Sequence, residues 1–127
     1  MPGNPFVGAW SCIETESQAF PDSTLTGIPR KRRYLVTSPK QGQIVVALEG
    51  DAGSCALPFS TQYANAMLVP GQSCQSPSGA MLAYTSGTAT VSNQMLTMDL
   101  GYDISEATTT GVPGRNGTGI VTDHCTP

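Results

Sequence analysis

Apolar and polar residues alternate along most of this chain, and that two-residue period limits its fold more than any other feature. The clearest run is Leu96, Met98, Leu100, Tyr102 and Ile104. Successive side chains of a β-strand point to opposite faces, so this alternation is typical of a strand with one buried face. No window of about ten residues repeats its apolar residues at helical spacing. The chain is therefore predicted to be all-β.

Clusters of Gly, Pro, Ser, Asn and Asp divide this pattern into eight predicted strands. Sequential hairpins close most simply into an up-and-down antiparallel barrel, because closure removes the exposed sheet edges. A two-sheet sandwich is the alternative. Turns are expected at 38–42, 50–53 and Asn93, and longer loops at 16–29, 71–79 and 107–114. The strands are predicted at about 6–15, 30–37, 43–49, 55–59, 63–69, 80–91, 96–106 and 115–125.

Length and composition favour one exported domain. A chain of 127 residues can bury a single core, with 1–5 predicted as a Pro/Gly/Asn-rich leader and 6–127 as the barrel. Charged residues make up 12% and the net charge is −3, so no nucleic-acid partner is expected. No apolar run approaches the ~20 residues of a membrane span. The segment after Met1 lacks signal-peptide character. We therefore expect that an export signal preceded Met1 in a precursor and was removed. That precursor could also carry a lipid anchor.

The four cysteines indicate two disulfides. They are far apart, at Cys12, Cys55, Cys74 and Cys125, and the chain has one histidine, which argues against zinc. Two disulfides place the protein in an oxidising compartment: secreted, periplasmic or at the outer cell surface. The first and last strands of an up-and-down barrel are neighbours, which predicts Cys12–Cys125. Cys55 and Cys74 then join across adjacent strands and a loop.

The Gly8-x-Trp10 opening of this β-meander resembles calycin-like small barrels, such as lipocalins and avidins. The Trp-Ser-Cys opening, mid-chain cysteine pair and final cysteine are also similar to exported bacterial barrels of no settled function. The resemblance implies a tryptophan at the barrel floor with a basic residue packed across it, and Arg115 is the only candidate. Avidins line their biotin site with further tryptophans, which this chain lacks, and the helix that follows the last strand of lipocalins is not expected here. The resemblance therefore concerns architecture and carries no ligand with it.

The leading hypothesis is a non-enzymatic barrel that binds a small apolar molecule at its open end. Trp10 fills the barrel base on the simpler interpretation, or forms the floor of a ligand cavity. Methionines would suit a tolerant pocket, although they equally fill irregular cores. The predicted cavity residues are Trp10, Leu48, Leu57, Phe59, Met67, Met81, Leu96 and Met98.

The run Arg30-Lys31-Arg32-Arg33 is the strongest charge asymmetry on the chain. It could bind an anionic surface, but a solvated strand end that prevents edge-to-edge association is the commoner role. His124 is expected to be exposed, and the acids show no spacing typical of a catalytic pair or a calcium loop. We therefore predict no catalytic residues, no metal and no cofactor.

A protein partner is the alternative to a small ligand. Small bacterial barrels with a Gly-x-Trp opening include periplasmic protease inhibitors, which insert an N-terminal leader into the protease cleft. The leader 1–5 is short and stiffened by proline. Inhibition of secreted proteases would distinguish this function from ligand binding.

Overall fold

The computed structural model describes residues 4–49, 55–75, 79–106, 108 and 110–127. This part of the chain contains ten strands and no helix, so the all-β prediction is confirmed. The strands are β1 Gly8–Phe20, β2 Ser23–Thr26, β3 Arg30–Lys40, β4 Gln43–Leu48, β5 Ala56–Gln62, β6 Asn65–Leu68, β7 Ser73–Gln75, β8 Met81–Ser92, β9 Met95–Ser105 and β10 Asn116–Thr126.

Eight of these strands close into an up-and-down antiparallel barrel, as predicted. Their order around the barrel is β1, β3, β4, β5, β6, β8, β9 and β10, and β10 pairs back with β1. The two short strands lie off this ring. β2 pairs with the last residues of β1, and β7 pairs with the first residues of β8. The closed ring rules out the sandwich.

The predicted long loop at 16–29 is wrong. β1 continues to Phe20 and turns directly into β2. The inward-facing positions of this extension include Glu16 and Gln18, so both faces of the strand are polar and the alternating pattern disappears. A strand also lies inside the predicted loop 71–79, because β7 is centred on Cys74. The predicted turn at 50–53 lies outside the described residues, as do positions 107 and 109 of the last loop.

The apolar core lies at the end of the barrel where β1 begins and β10 ends, which we call the floor. Phe6 is completely buried there, and the indole Nε1 of Trp10 donates a hydrogen bond to the Phe6 carbonyl at 2.8 Å. The backbone NH of Phe6 is bonded to the Asn4 side chain, so the end of the leader folds onto the floor. Other buried floor residues are Val36, Ile44, Phe59, Ala66 and Leu96.

Both predicted disulfides are confirmed. Cys12 and Cys125 are direct partners in the β1–β10 ladder and close the barrel seam. Cys55 and Cys74 connect the start of β5 to β7. The two bridges therefore lie toward opposite ends of the barrel.

Arg115 does not pack across Trp10. Its guanidinium lies 4.2 Å from the ring centre of Phe20 and pairs with Glu106 at 2.8 Å. Phe20 ends β1 whereas Trp10 lies near its beginning, so the two rings are at opposite ends of a strand that rises roughly 3.3 Å per residue. The contact implied by the calycin resemblance is therefore replaced by a cation–π contact at the other end.

Candidate functional site

A cavity of about 430 Å³ lies inside the barrel above the floor. It extends toward the end where β1 finishes and β10 begins, which we call the mouth. Part of its wall is apolar. That wall is formed by Val46, Leu48, Leu57, Leu82, Met98, Leu100, Ile104 and Val121. The Cys55–Cys74 disulfide also borders the cavity, so it ties two elements of the wall together.

The opposite wall is charged because the alternation of β1 and β3 continues above the floor. Glu14 and Arg30 are partners in the β1–β3 ladder. Arg30 donates to the Glu14 Oε1 from Nε at 3.1 Å and from a terminal nitrogen at 2.9 Å, and also to Glu16 at 3.1 Å. The Nε of Arg32 lies 3.6 Å from the same Glu14 oxygen, and the Tyr34 hydroxyl donates to the other oxygen. Three side chains, those of Arg30, Arg32 and Tyr34, thus surround the carboxylate of Glu14.

A second polar group lies nearer the mouth. The Tyr102 hydroxyl donates to Glu16 and accepts a hydrogen bond from Gln18 at 2.9 Å. The ring of Tyr84 lies 5.6 Å from that of Tyr102, centre to centre. Burial raises the pKa of Tyr84 to about 12 and, together with the bond to Glu16, raises the pKa of Tyr102 further. Both hydroxyls therefore keep their protons and act as donors at neutral pH.

Gly119 leaves the space that Tyr102 occupies. These residues are partners in the β10–β9 ladder, and a Cβ at Gly119 would overlap the end of the tyrosine ring. We expect Gly119→Ala to lower the free energy of unfolding by about 1–3 kcal/mol, since the ring must leave a packed position. Denaturant unfolding measures this effect. Thr118→Ala, at the exposed neighbouring position, is the control and should change stability by less than about 0.5 kcal/mol.

A pair of carboxyl groups lies between the cavity and the floor. Glu14 and Asp123 are direct partners in the β1–β10 ladder and are only 3% and 0% exposed. Neither oxygen of Asp123 has a hydrogen-bond partner among the described residues. Like charges directly opposite each other on a sheet are unfavourable, and burial increases the cost.

The pKa values of these two carboxyl groups are shifted in opposite directions. Burial raises the pKa of Asp123 to about 8, and the neighbouring charge of Glu14 adds to the increase. Burial also disfavours the charged form of Glu14, but its hydrogen bonds with Tyr34 and Arg30 and the positive charge of Arg30 outweigh this effect and lower its pKa. At neutral pH the pair therefore holds one proton, which resides on Asp123, and one negative charge on Glu14.

The predicted cavity residues are divided among three environments. Trp10, Phe59 and Leu96 are buried in the floor, and Leu48, Leu57 and Met98 line the cavity. Met67 and Met81 do neither, because they lie on the outer surface, 67% and 45% exposed.

Local strand geometry explains both exceptions. β6 is only four residues long, and Ala66 and Leu68 face inward on either side of Met67. In β8 the register shifts between Tyr84 and Ser86, so the inward positions before the bulge have the opposite parity to those after it. Met81 therefore faces outward although Ala89 faces inward on the same strand.

The basic run does not form one patch. Arg30 and Arg32 face the cavity, whereas Lys31 and Arg33 point outward. Arg33 bonds to Glu49 at 2.7 Å and to Ser11 at 3.0 Å on that outer face. His124 is exposed, as expected.

Sequence reasoning missed the acids and tyrosines of the interior, above all Glu14 and Asp123. A signal was available. In an antiparallel pair, residue numbers rise along one strand as they fall along the other. The predicted Cys12–Cys125 bridge therefore places Glu14 opposite Asp123, with both side chains inward.

Within the described residues, no group of three or more His, Cys, Asp or Glu side chains is arranged to hold a metal ion. No helix in this part of the chain is long and apolar enough to cross a membrane. Comparison of the chain with protein-family models, with curated proteins and with solved structures finds no match.

Proposed function

We propose that the protein is a non-enzymatic exported barrel that binds a small molecule in its interior cavity. The observation that carries the proposal is the cavity itself, whose volume of about 430 Å³ lies in the range of small-molecule sites. Its two walls differ in character. The apolar part of a ligand would lie against Leu57, Leu82 and Leu100, and a polar part would face Arg32 and Tyr84.

The burial of the acids favours binding over catalysis. A general acid or base must come within hydrogen-bond reach of its substrate. Asp123 is completely buried and does not border the cavity, and both oxygens of Glu14 already accept hydrogen bonds. The two disulfides support the exported location, because such bonds persist in oxidising compartments.

Protease inhibition through the leader has weaker support. Asn4 and Phe6 are bonded and packed against the floor, so this part of the leader is not a free arm. Among the residues that the structure describes, no comparable feature favours a protein partner over the cavity.

Filling the cavity should weaken binding. We expect the neutral fluorophore N-phenyl-naphthylamine to brighten on mixing with the wild-type protein, because it moves from water to an apolar wall. Leu82→Trp places a large ring in the cavity and should weaken the affinity at least about tenfold, a change of ~1.4 kcal/mol. Fluorescence titration measures both.

Met81→Trp is the matched control, since the preceding residue of the same strand points outward. It should bind the fluorophore like the wild type. Equal binding by both variants, or no binding by the wild-type protein, would contradict the proposed function.

A further inference from the structure

The charged wall of the cavity has more hydrogen-bond donors than acceptors. Each carboxylate oxygen of Glu14 and Glu16 already accepts a hydrogen bond from Arg30, Tyr34 or Tyr102. By contrast, the terminal nitrogens of Arg32 and the hydroxyl of Tyr84 make no hydrogen bond to any residue that the structure describes. Both side chains border the cavity.

Arg32 is well placed to meet a ligand. Its side chain is 30% exposed, whereas the Glu14 carboxylate beside it is almost completely enclosed. A guanidinium presents its donors in a rigid fork that matches a carboxylate. The Leu57, Leu82 and Leu100 side chains form the apolar wall of the same cavity.

The charges of the interior also permit an anion. With the proton on Asp123, the negative charges of Glu14 and Glu16 balance the positive charges of Arg30 and Arg32. Glu106 also borders the cavity, and its charge is balanced by its ion pair with Arg115. A ligand with one negative charge therefore enters a cavity without net charge. A cation would find every carboxylate oxygen of Glu14, Glu16 and Glu106 already hydrogen-bonded to an arginine or a tyrosine.

We propose that the cavity selects an amphipathic molecule with a single carboxylate, which Arg32 and Tyr84 bind while the hydrocarbon part lies against the leucine wall. This inference rests on the proposed function and specifies its ligand class. The unsatisfied donors of Arg32 and Tyr84 favour a ligand with a carboxylate, and the apolar wall favours a ligand with a hydrocarbon part.

Three probes with the same hydrocarbon chain test the selection: decanoate, decanol and decyltrimethylammonium. Isothermal titration calorimetry near neutral pH should give the wild-type protein a Kd for decanoate at least about tenfold below that for decanol, as expected for a charge-assisted hydrogen bond. Decyltrimethylammonium should bind no better than decanol. Arg32→Met should weaken decanoate binding at least about tenfold, so that the preference over decanol is lost. Continued binding of decanol by this variant shows that its cavity is intact.

Arg33→Met is the matched control, because this neighbouring arginine faces outward. It should keep the full preference for decanoate. Equal affinities for decanoate and decanol, stronger binding of the ammonium probe, or an unchanged preference in Arg32→Met would overturn the ligand class while the proposed function stands. Failure of all three probes and of N-phenyl-naphthylamine to bind would overturn both.

Discussion

Replacement of Cys12 and Cys125 together by serine is expected to lower the free energy of unfolding by about 4–5 kcal/mol. The bridge joins residues 113 positions apart, so the reduced, unfolded chain gains much conformational freedom when it is removed. It also closes the seam between β1 and β10. The next inward-facing pair along this seam is Glu14 and Asp123. Denaturant unfolding monitored by Trp10 fluorescence measures the change.

The Cys55→Ser, Cys74→Ser double variant is the comparison. This bridge spans 19 positions, and its loss should cost about 3 kcal/mol on the same chain-entropy model. A pair of alanine variants at Cys12 and Cys125 separates loss of the cross-link from burial of two hydroxyl groups. If the Cys55–Cys74 variant were the less stable one, the seam bridge would not be the main constraint on the unfolded chain.

The barrel could be predicted from the sequence because its most regular strands have one purely apolar face. β9 alternates without interruption from Leu96 to Ile104, and each of its inward residues is buried. The disulfides followed from the closure of the ring. A barrel that brings its first and last strands together leaves Cys12 no closer partner than Cys125.

The polar interior was not accessible in the same way. Glu14, Glu16 and Gln18 face inward on β1. A strand whose inward-facing residues are polar shows no alternation of apolar and polar residues, so its inward face cannot be predicted from that pattern. Arg30 and Arg32 sit within a run of four basic residues, where composition suggests one solvated surface. Only the ladder between β1 and β3 reveals that alternate members of the run meet the acids inside.

The alternation of inward and outward side chains along β8 explains why Met81 was wrongly predicted to line the cavity. A one-residue bulge reverses which side chains face inward for the rest of a strand. The bulge after Tyr84 therefore sends Met81 outward, and nothing in the alternation of Ala89 and Val91 indicates it. A cavity wall predicted from parity alone is correct only up to the first bulge.

Asp123→Asn is expected to raise the free energy of unfolding by about 2–4 kcal/mol near pH 9 and to change it little near pH 5. The folded pKa of Asp123 is about 8, against an ordinary value of 3.8. Between these values the native protein holds a proton that the unfolded chain has released, so stability falls as pH rises through this window. Above about pH 8 the native state must carry the charge beside Glu14, whereas asparagine has the same shape and cannot ionise.

Urea unfolding of both proteins at several values between about pH 5 and pH 9 tests this pH dependence. The wild-type stability should decline across the interval, and the Asp123→Asn stability should be nearly flat. Glu14 does not mimic the effect, because its lowered pKa places its own loss of stability on the acid side of its ordinary value. Asp103→Asn, an exposed position on β9, is the control and should follow the wild type. An equal gain for Asp123→Asn at both ends of the interval would mean that relief of packing, and not removal of a buried charge, stabilises the variant.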